Sequence, residues 1–203
     1  MLLRERAEGK DTGCGHREAQ DPRPRATRAS RMTERDMIPL ARPELGEAEA
    51  RASCRVWRSG QLVQGQEVAR FETRLAQRCA RPWAVAVSSG TAALELALRA
   101  LGIGAGDEVL CPALTWPSPA HAVRTVGAEP VLVDVDPVEW TVRPEDMATA
   151  RTERTRAAIL IDQFGVPGRA AQLERALPGL AVIVDAACSL GSASREGPCG
   201  QPG

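Results

Sequence analysis

The stretch Ala84-Val-Ala-Val-Ser-Ser-Gly-Thr-Ala-Ala-Leu-Glu-Leu-Ala-Leu-Arg-Ala-Leu101 passes from a short apolar run through a Ser/Gly turn into a helical pattern. Residues 84–87 have the composition of a short buried strand. From Thr91 onward, apolar side chains recur at helical spacing on one stripe, at Leu94, Leu98 and Leu101. The stretch therefore predicts a strand that runs through a tight turn directly into a helix.

The rest of the chain continues this alternation of apolar runs and helical patterns. Helices are predicted at 44–57 and 66–79, and later at 118–126, 144–151 and 170–177. Four further short strands are predicted at 108–111, 130–133, 157–161 and 180–184. Five apolar strands with helices between them are typical of βαβ units and a mainly parallel sheet. We therefore predict an α/β fold, a three-layer α/β/α sandwich around a mainly parallel sheet.

Composition divides the 203 residues into a leader and one domain. Residues 1–37 are rich in Arg, Glu, Pro and Gly and lack periodic apolar positions, which predicts a disordered leader. Residues 38–203 carry the alternating pattern and form the predicted domain. The formal net charge is zero, so nothing in the charge draws the protein to nucleic acid or to an acidic membrane.

The cysteine and histidine content argues against a metal site. The chain has six cysteines, none in a C-x-x-C pair, and only two histidines. A zinc site needs clustered ligands of these types, so no metal is expected. The sequence near Met1 has no secretory apolar region, and no run is long enough for a membrane span. Reduced cysteines and a cytoplasmic location are the expectation.

Three segments at predicted strand ends have chemistry that suits a phosphorylated aromatic ligand. Ser89, Gly90 and Thr91 open a helix, whose free N–H groups and dipole suit a phosphate. Trp116 follows the next strand and can stack on a flat ring. Asp185 ends the strand at 180–184 and can pair with a pyridinium nitrogen, keeping it protonated.

Each segment also has an ordinary structural explanation. Ser89 or Thr91 can serve only as a helix N-cap. Trp116 can be a half-buried side chain without a ligand, and Asp185 can cap the helix that follows its strand. Because ligands of parallel sheets bind beyond the carboxyl ends of the strands, the three segments together favour a site for pyridoxal phosphate (PLP).

The same segments, with several others, resemble the DegT/DnrJ/EryC1/StrS aminotransferases. The resemblance covers roughly residues 38 to 200 and rests on many short motifs in the same chain order. They include Ile38-Pro-Leu-Ala-Arg-Pro-Glu-Leu45, Ala86-Val-Ser-Ser-Gly-Thr-Ala-Ala-Leu94, Gly106-Asp-Glu-Val109, Leu114-Thr-Trp116, Gly127-Ala-Glu-Pro-Val131, Val133-Asp-Val-Asp-Pro137, Phe164-Gly165 and Val184-Asp-Ala-Ala187. The implied fold is the large domain of a PLP-dependent transferase, in truncated form.

The resemblance also implies roles for particular residues. Gly90 and Thr91 would bind the phosphate of PLP, Trp116 would stack on its ring, and Asp185 would pair with the ring nitrogen. Cys188 occupies a cofactor-binding position where the family often has glutamine, and a thiol is a poor substitute for an amide donor. Asp162 stands where the family often has histidine.

The implied activity is transfer of an amino group from an amino acid, with glutamate expected as the donor, to a keto sugar carried on a nucleotide. A homodimer is expected for the full-length form. The family's Schiff-base lysine lies beyond the Asp185 position, whereas the only lysine of this chain is Lys10. We therefore expect an inactive fragment without a catalytic residue of its own. The alternatives are a non-catalytic cofactor-binding or interaction module, and a fragment of a related sugar dehydratase.

Overall fold

The structure, a computed structural model, describes residues 42–194 and 197–199. The predicted boundary between residues 37 and 38 lies outside them. The first two helices of the described part are α1 (Glu47–Ser59) and α2 (Gln66–Arg78). Both follow the prediction to within a few residues. Gly60 ends α1 because its φ of +69° is easily adopted only by glycine. Neither helix contains a fully buried residue, although Leu75 of α2 is half-buried and lines a cavity together with Val184.

Strands and helices then alternate along the chain. The elements are α3 (Gly90–Ala100), β1 (Glu108–Pro112), α4 (Ser118–Thr125), β2 (Glu129–Val133), α5 (Pro144–Ala150), β3 (Thr155–Ile161), α6 (Ala170–Ala176) and β4 (Ala181–Asp185). A 3-10 turn at Gln163–Gly165 follows β3, and two short strands, β5 (Ala193–Ser194) and β6 (Gly197–Pro198), pair with each other. None of the helices in the described part is long and apolar enough to cross a bilayer.

The four longer strands form one parallel sheet in the order β2-β1-β3-β4. The register pairs Pro112 at the end of β1 with Val133 at the end of β2. It likewise pairs Ile161 of β3 with Asp185 of β4. The carboxyl ends of all four strands therefore lie along one side of the sheet, which we call the carboxyl edge. The opposite side is the amino edge.

Side chains alternate between the two faces of the sheet and bury two separate apolar clusters. Helices α3 and α4 cover one face through a cluster that includes Leu98, Val109, Cys111, Val123 and Ile159. Helices α5 and α6 cover the other face through a cluster that includes Leu110, Met147, Leu160, Leu173 and Leu177. The predicted three-layer sandwich is confirmed.

The strand predicted at 84–87 is wrong for the described structure. No strand pairs with this segment within the described part of the chain, and the side chain of Val85 is 77% exposed. The Ala86 N–H donates instead to Glu72 Oε1 of α2 at 2.8 Å. A cavity of about 410 Å³ is lined by residues of this segment, of α2 and of β4, among them Val85, Leu75 and Val184. The apolar run therefore forms no strand within the described structure, because a strand requires a hydrogen-bonded partner.

Candidate functional site at the carboxyl edge

The fold brings the predicted site segments to the same edge of the sheet. Asp185 is the last residue of β4, and Trp116 lies four residues after β1. The end of α3 leads through residues 101–107 directly to the start of β1, so α3 runs antiparallel to β1 and its N-terminus points toward the carboxyl edge. Gly90 and Thr91 therefore begin α3 on the side where Asp185 and Trp116 lie.

The N-terminus of α3 has backbone donors that are not used by the helix. Ser89 caps it, because Ser89 Oγ accepts from Ala92 N–H at 3.1 Å and the Ser89 carbonyl accepts from Ala93 N–H at 3.0 Å. Gly90 and Thr91 come before these donors in the chain. Their N–H groups have no acceptor within the helix and point out of its N-terminus, as in every helix. Both residues are exposed. A Cβ on Gly90 would meet no heavy atom within 4 Å, which leaves open space for an anion.

Asp185 is partly exposed and has one carboxylate oxygen held in place. Its Oδ1 accepts from the Ala187 N–H at 3.0 Å, and its carbonyl accepts from the Asp162 N–H at 3.1 Å. The other carboxylate oxygen makes no hydrogen bond within the described residues. The side chain is thus oriented by the turn that follows β4, and it has an acceptor to offer to a ligand.

Trp116 and Cys188 are both exposed at this edge. The side chain of Trp116 is 78% exposed, so a planar ligand has access to its ring. Trp116 follows β1 and Asp185 ends β4. These two strands are separated by two strand spacings in the sheet, so their backbones lie about 10 Å apart. Cys188 lies in the turn after Asp185, and Gly165 approaches its carbonyl so closely that a Cβ at Gly165 would lie 3.2 Å from the oxygen.

An aromatic pair near the same edge was not predicted from the sequence. The rings of Trp140 and Phe164 pack edge to face, with centroids 5.4 Å apart and an interplanar angle of 69°. Both residues have left-handed backbone, with φ of +60° and +52°, which is uncommon for bulky side chains. The sequence signal was limited to an aromatic residue before Gly165, and it did not indicate a partner.

A second feature that sequence reasoning missed is a buried polar pair, Asp162 and Ser189. The Ser189 hydroxyl donates to Asp162 Oδ2 at 2.5 Å, and the Gly168 N–H donates to Asp162 Oδ1 at 2.8 Å. An aspartate directly after the apolar run of β3 was a usable signal for Asp162. Ser189 carried none, because the contact joins residues 27 positions apart.

Local hydrogen bonds and burial shift two pKa values near this edge. The pKa of Asp136, in the loop after β2, lies below its ordinary value because the Glu139 N–H, and then the Val138 N–H, donate to its carboxylate. The pKa of Cys199 is raised by burial and then by the charge of Asp162. The described residues contain no group of three His, Cys, Asp or Glu side chains that could hold a metal ion.

Comparison with solved structures defines the class of protein. DesV from S. venezuelae, solved with a ketimine intermediate, is 38% identical, with a TM-score of 0.73; the match covers 77% of this chain and 43% of DesV. Spr1654 from Streptococcus pneumoniae, described as a sugar aminotransferase and solved in its PLP form, is 30% identical, with a TM-score of 0.76; the match covers 80% of this chain and 46% of Spr1654. The fold is therefore that of the large domain of PLP-dependent aminotransferases.

The DegT/DnrJ/EryC1/StrS aminotransferase family model matches residues 43–203, and the chain belongs to this family. The resemblance seen in the sequence is thereby confirmed. An E. coli GDP-4-keto-6-deoxy-D-mannose-3-dehydratase with bound hydrated PLP is also similar, at 26% identity and a TM-score of 0.68, with 72% of this chain and 40% of the dehydratase covered. The chain spans less than half the length of these solved proteins.

Proposed function

We propose that residues 38–203 form the PLP-binding part of a sugar aminotransferase. In this proposal Gly90 and Thr91 bind the phosphate, Trp116 stacks on the ring, Asp185 binds the ring nitrogen and Cys188 lies beside the ring. The observation that carries the proposal is the meeting of the α3 N-terminus and the Asp185 carboxylate at one edge of a parallel sheet, the usual place for ligands in such folds.

The N-terminus of α3 fits a phosphate group. It offers the N–H groups of Gly90 and Thr91, the Thr91 hydroxyl and the positive end of an eleven-residue helix. The space around Gly90 lets an anion approach the backbone closely. The Ser89 hydroxyl already accepts a hydrogen bond from the Ala92 N–H as the helix cap. Its role in this proposal is to fix the first turn of α3, which carries the donors for the ligand.

The Asp185 carboxylate fits a protonated ring nitrogen. One oxygen is fixed by the Ala187 N–H, and the other can accept a charge-assisted hydrogen bond from the pyridinium. When bound, PLP supplies a ring that stabilises negative charge at the substrate carbon. The role of Asp185 is to keep the proton on the ring nitrogen, since an ionised carboxylate favours the charged form of its partner.

The reaction of the complete protein is proposed from the family to which the chain belongs. The amino group would come from glutamate and pass to a nucleotide-linked keto sugar, in a cytoplasmic homodimer. Residues 11–203 contain no lysine, so these residues would bind PLP without a covalent bond and would not catalyse amino transfer by themselves.

Titration of the 203-residue chain with PLP, followed by the absorbance of the cofactor, tests this proposal. We expect saturable binding that weakens about tenfold in Asp185→Asn, because loss of one charge-assisted hydrogen bond costs about 1.5 kcal/mol. Asp107→Asn is the matched control. Its Oδ2 also accepts one backbone N–H, from Gly104 at 3.0 Å, but it precedes β1 at the amino edge.

Three outcomes separate the proposal from its alternatives. Binding that is absent from the wild-type chain, or unchanged in Asp185→Asn, contradicts the assignment of the site. A borohydride-reducible PLP adduct within residues 11–203 contradicts the non-covalent mode. Tight binding with no gain of amino transfer, when the second half of a relative such as DesV is supplied, favours a non-catalytic binding module. A sugar dehydratase is the remaining candidate, because the E. coli dehydratase shares the fold.

A further inference from the structure

The buried pair Asp162 and Ser189 contacts the turn that carries Asp185. The side chains are almost inaccessible, with Asp162 3% and Ser189 1% exposed. A buried carboxylate is costly unless hydrogen bonds replace its water, and here the Ser189 hydroxyl and the Gly168 N–H do so, at 2.5 Å and 2.8 Å. No basic side chain within the described residues forms an ion pair with Asp162. The Ser189 hydroxyl is therefore one of its main compensating contacts.

The contacts hold both ends of a five-residue turn. At its start, the Asp162 N–H donates to the Asp185 carbonyl at 3.1 Å. At its end, Ser189 donates to the Asp162 carboxylate. Between them, Gly165 lies against the Cys188 carbonyl. One short segment, residues 162–168, thus fixes residues 185–189 at three points, although the two segments lie at the ends of different strands.

Residues 162–168 form a well-defined support for this turn. Phe164 is held in left-handed backbone and packs against the Trp140 ring. A Cβ at Gly168 would lie 2.9 Å from the buried side chain of Leu160, so the loop sits tightly on β3. A turn fixed to such a support has little freedom to reorient the Asp185 carboxylate.

We propose that Asp162 and Ser189 are positioning residues, which hold the turn after β4 so that the Asp185 carboxylate faces its ligand. The identity of that ligand, the PLP ring nitrogen, rests on the proposed function. The orientation of Asp185 does not, because it is visible in the chain alone as the hydrogen bond from the Ala187 N–H to Asp185 Oδ1. The two proposals can therefore fail separately.

Amide hydrogen exchange by NMR on the cofactor-free 203-residue chain tests the positioning directly. We expect the Ala187 amide to exchange about fivefold faster in Ser189→Ala, the effect of losing roughly one hydrogen bond. Asp162→Asn keeps an oxygen acceptor for Gly168 and can still pair with Ser189, so it should stay within about twofold of wild type. Thr155→Val is the control, since Thr155 is 3% exposed and its hydroxyl accepts from Thr152 N–H at the amino edge.

Circular dichroism in the absorption band of bound PLP gives the second readout. Free PLP is achiral, so the signal for each bound cofactor reports how firmly the ring is held. We expect Ser189→Ala to weaken PLP binding about fivefold and to reduce the signal at saturation, with wild-type behaviour in Asp162→Asn and Thr155→Val.

The two readouts distinguish the proposals. Unchanged Ala187 exchange in Ser189→Ala overturns the positioning role, whatever happens to PLP. If Ala187 exchanges faster in Ser189→Ala but the wild-type chain binds no PLP, the positioning role stands and the proposed function is rejected. Equal changes in Thr155→Val and Ser189→Ala show a general loss of stability and also overturn the positioning role.

Discussion

Glu108 and Arg154 are joined twice at the amino edge of the sheet. The Glu108 N–H donates to the Arg154 carbonyl at 2.9 Å, and their side chains form an ion pair. The Thr152 hydroxyl donates to the same carboxylate at 2.5 Å. Glu108 is 4% exposed, whereas the Arg154 side chain is 67% exposed. The buried acid therefore ties the start of β1 to the turn before β3.

Glu108→Gln should lower the free energy of unfolding by about 1–3 kcal/mol, because the variant loses the ion pair with Arg154 and weakens the charge-assisted hydrogen bond from the Thr152 hydroxyl. Urea denaturation followed by far-ultraviolet circular dichroism measures the change. Glu129→Gln is the control. Glu129 pairs with Arg124 at the start of β2, but both side chains are more than half exposed, so its loss should cost about 0–1 kcal/mol. Equal effects would contradict the importance of burial.

The buried thiol of Cys111 should make the folded chain less stable at alkaline pH. Burial raises the pKa of its thiol from 9.0 to about 12. The unfolded chain releases this proton first as the pH rises above 9, so stability is complete below pH 9 and falls between pH 9 and 12, by up to about 1.4 kcal/mol for each pH unit. The chain has no tyrosine and one lysine, so few other side chains titrate in this pH range. Urea midpoints at pH 8 and 10 measure the slope.

Cys111→Ala should reduce this alkaline slope while lowering stability at pH 8, since it leaves a small cavity in the cluster under α3 and α4. The Cys111 thiol should also react with a thiol reagent only after unfolding, whereas exposed Cys188 should react in the native chain. An unchanged slope in the variant would show that other thiols carry the effect.

Leu98 and Leu96 form a matched pair on α3. Leu98 is fully buried at 0% exposure, and Leu96 is 52% exposed. Leu98→Ala should cost about 2–5 kcal/mol, because it leaves a cavity between α3 and the sheet. Leu96→Ala should stay within about 0.5 kcal/mol of wild type. Thermal unfolding of the two variants measures these losses of stability. Similar losses in both variants would contradict the burial of Leu98 between α3 and the sheet.

Gly168 and Gly104 differ in the space available for a methyl group. A Cβ at Gly168 would lie 2.9 Å from three atoms of the buried Leu160 side chain, whereas at Gly104 its nearest neighbour would be the Val126 carbonyl at 3.7 Å. Gly168→Ala should therefore destabilise the protein by about 1–3 kcal/mol through overpacking. Gly104→Ala should be tolerated, within about 0.5 kcal/mol. Equal urea midpoints for the two variants would show that Leu160 can move aside.

Local signals in the sequence predicted the helices and strands that depend on neighbours along the chain. Helix α2 was predicted at 66–79 and runs Gln66–Arg78, because apolar residues at helical spacing give one amphipathic face. Strand β4 was predicted at 180–184 and runs Ala181–Asp185, because a continuous apolar run is typical of a strand buried on both faces. The position of Asp185 at a strand end followed from the same pattern.

The sequence by itself determined the fold class and the order of its elements, since both follow from local patterning and from motifs shared with a family. Only the tertiary structure decided the strand order β2-β1-β3-β4, the absence of a partner for residues 84–87 within the described part, and the pairing of Asp162 with Ser189. These features depend on contacts between residues far apart in the chain. Their stability comes from packing and hydrogen bonds that form only when the layers assemble, so no local pattern encodes them.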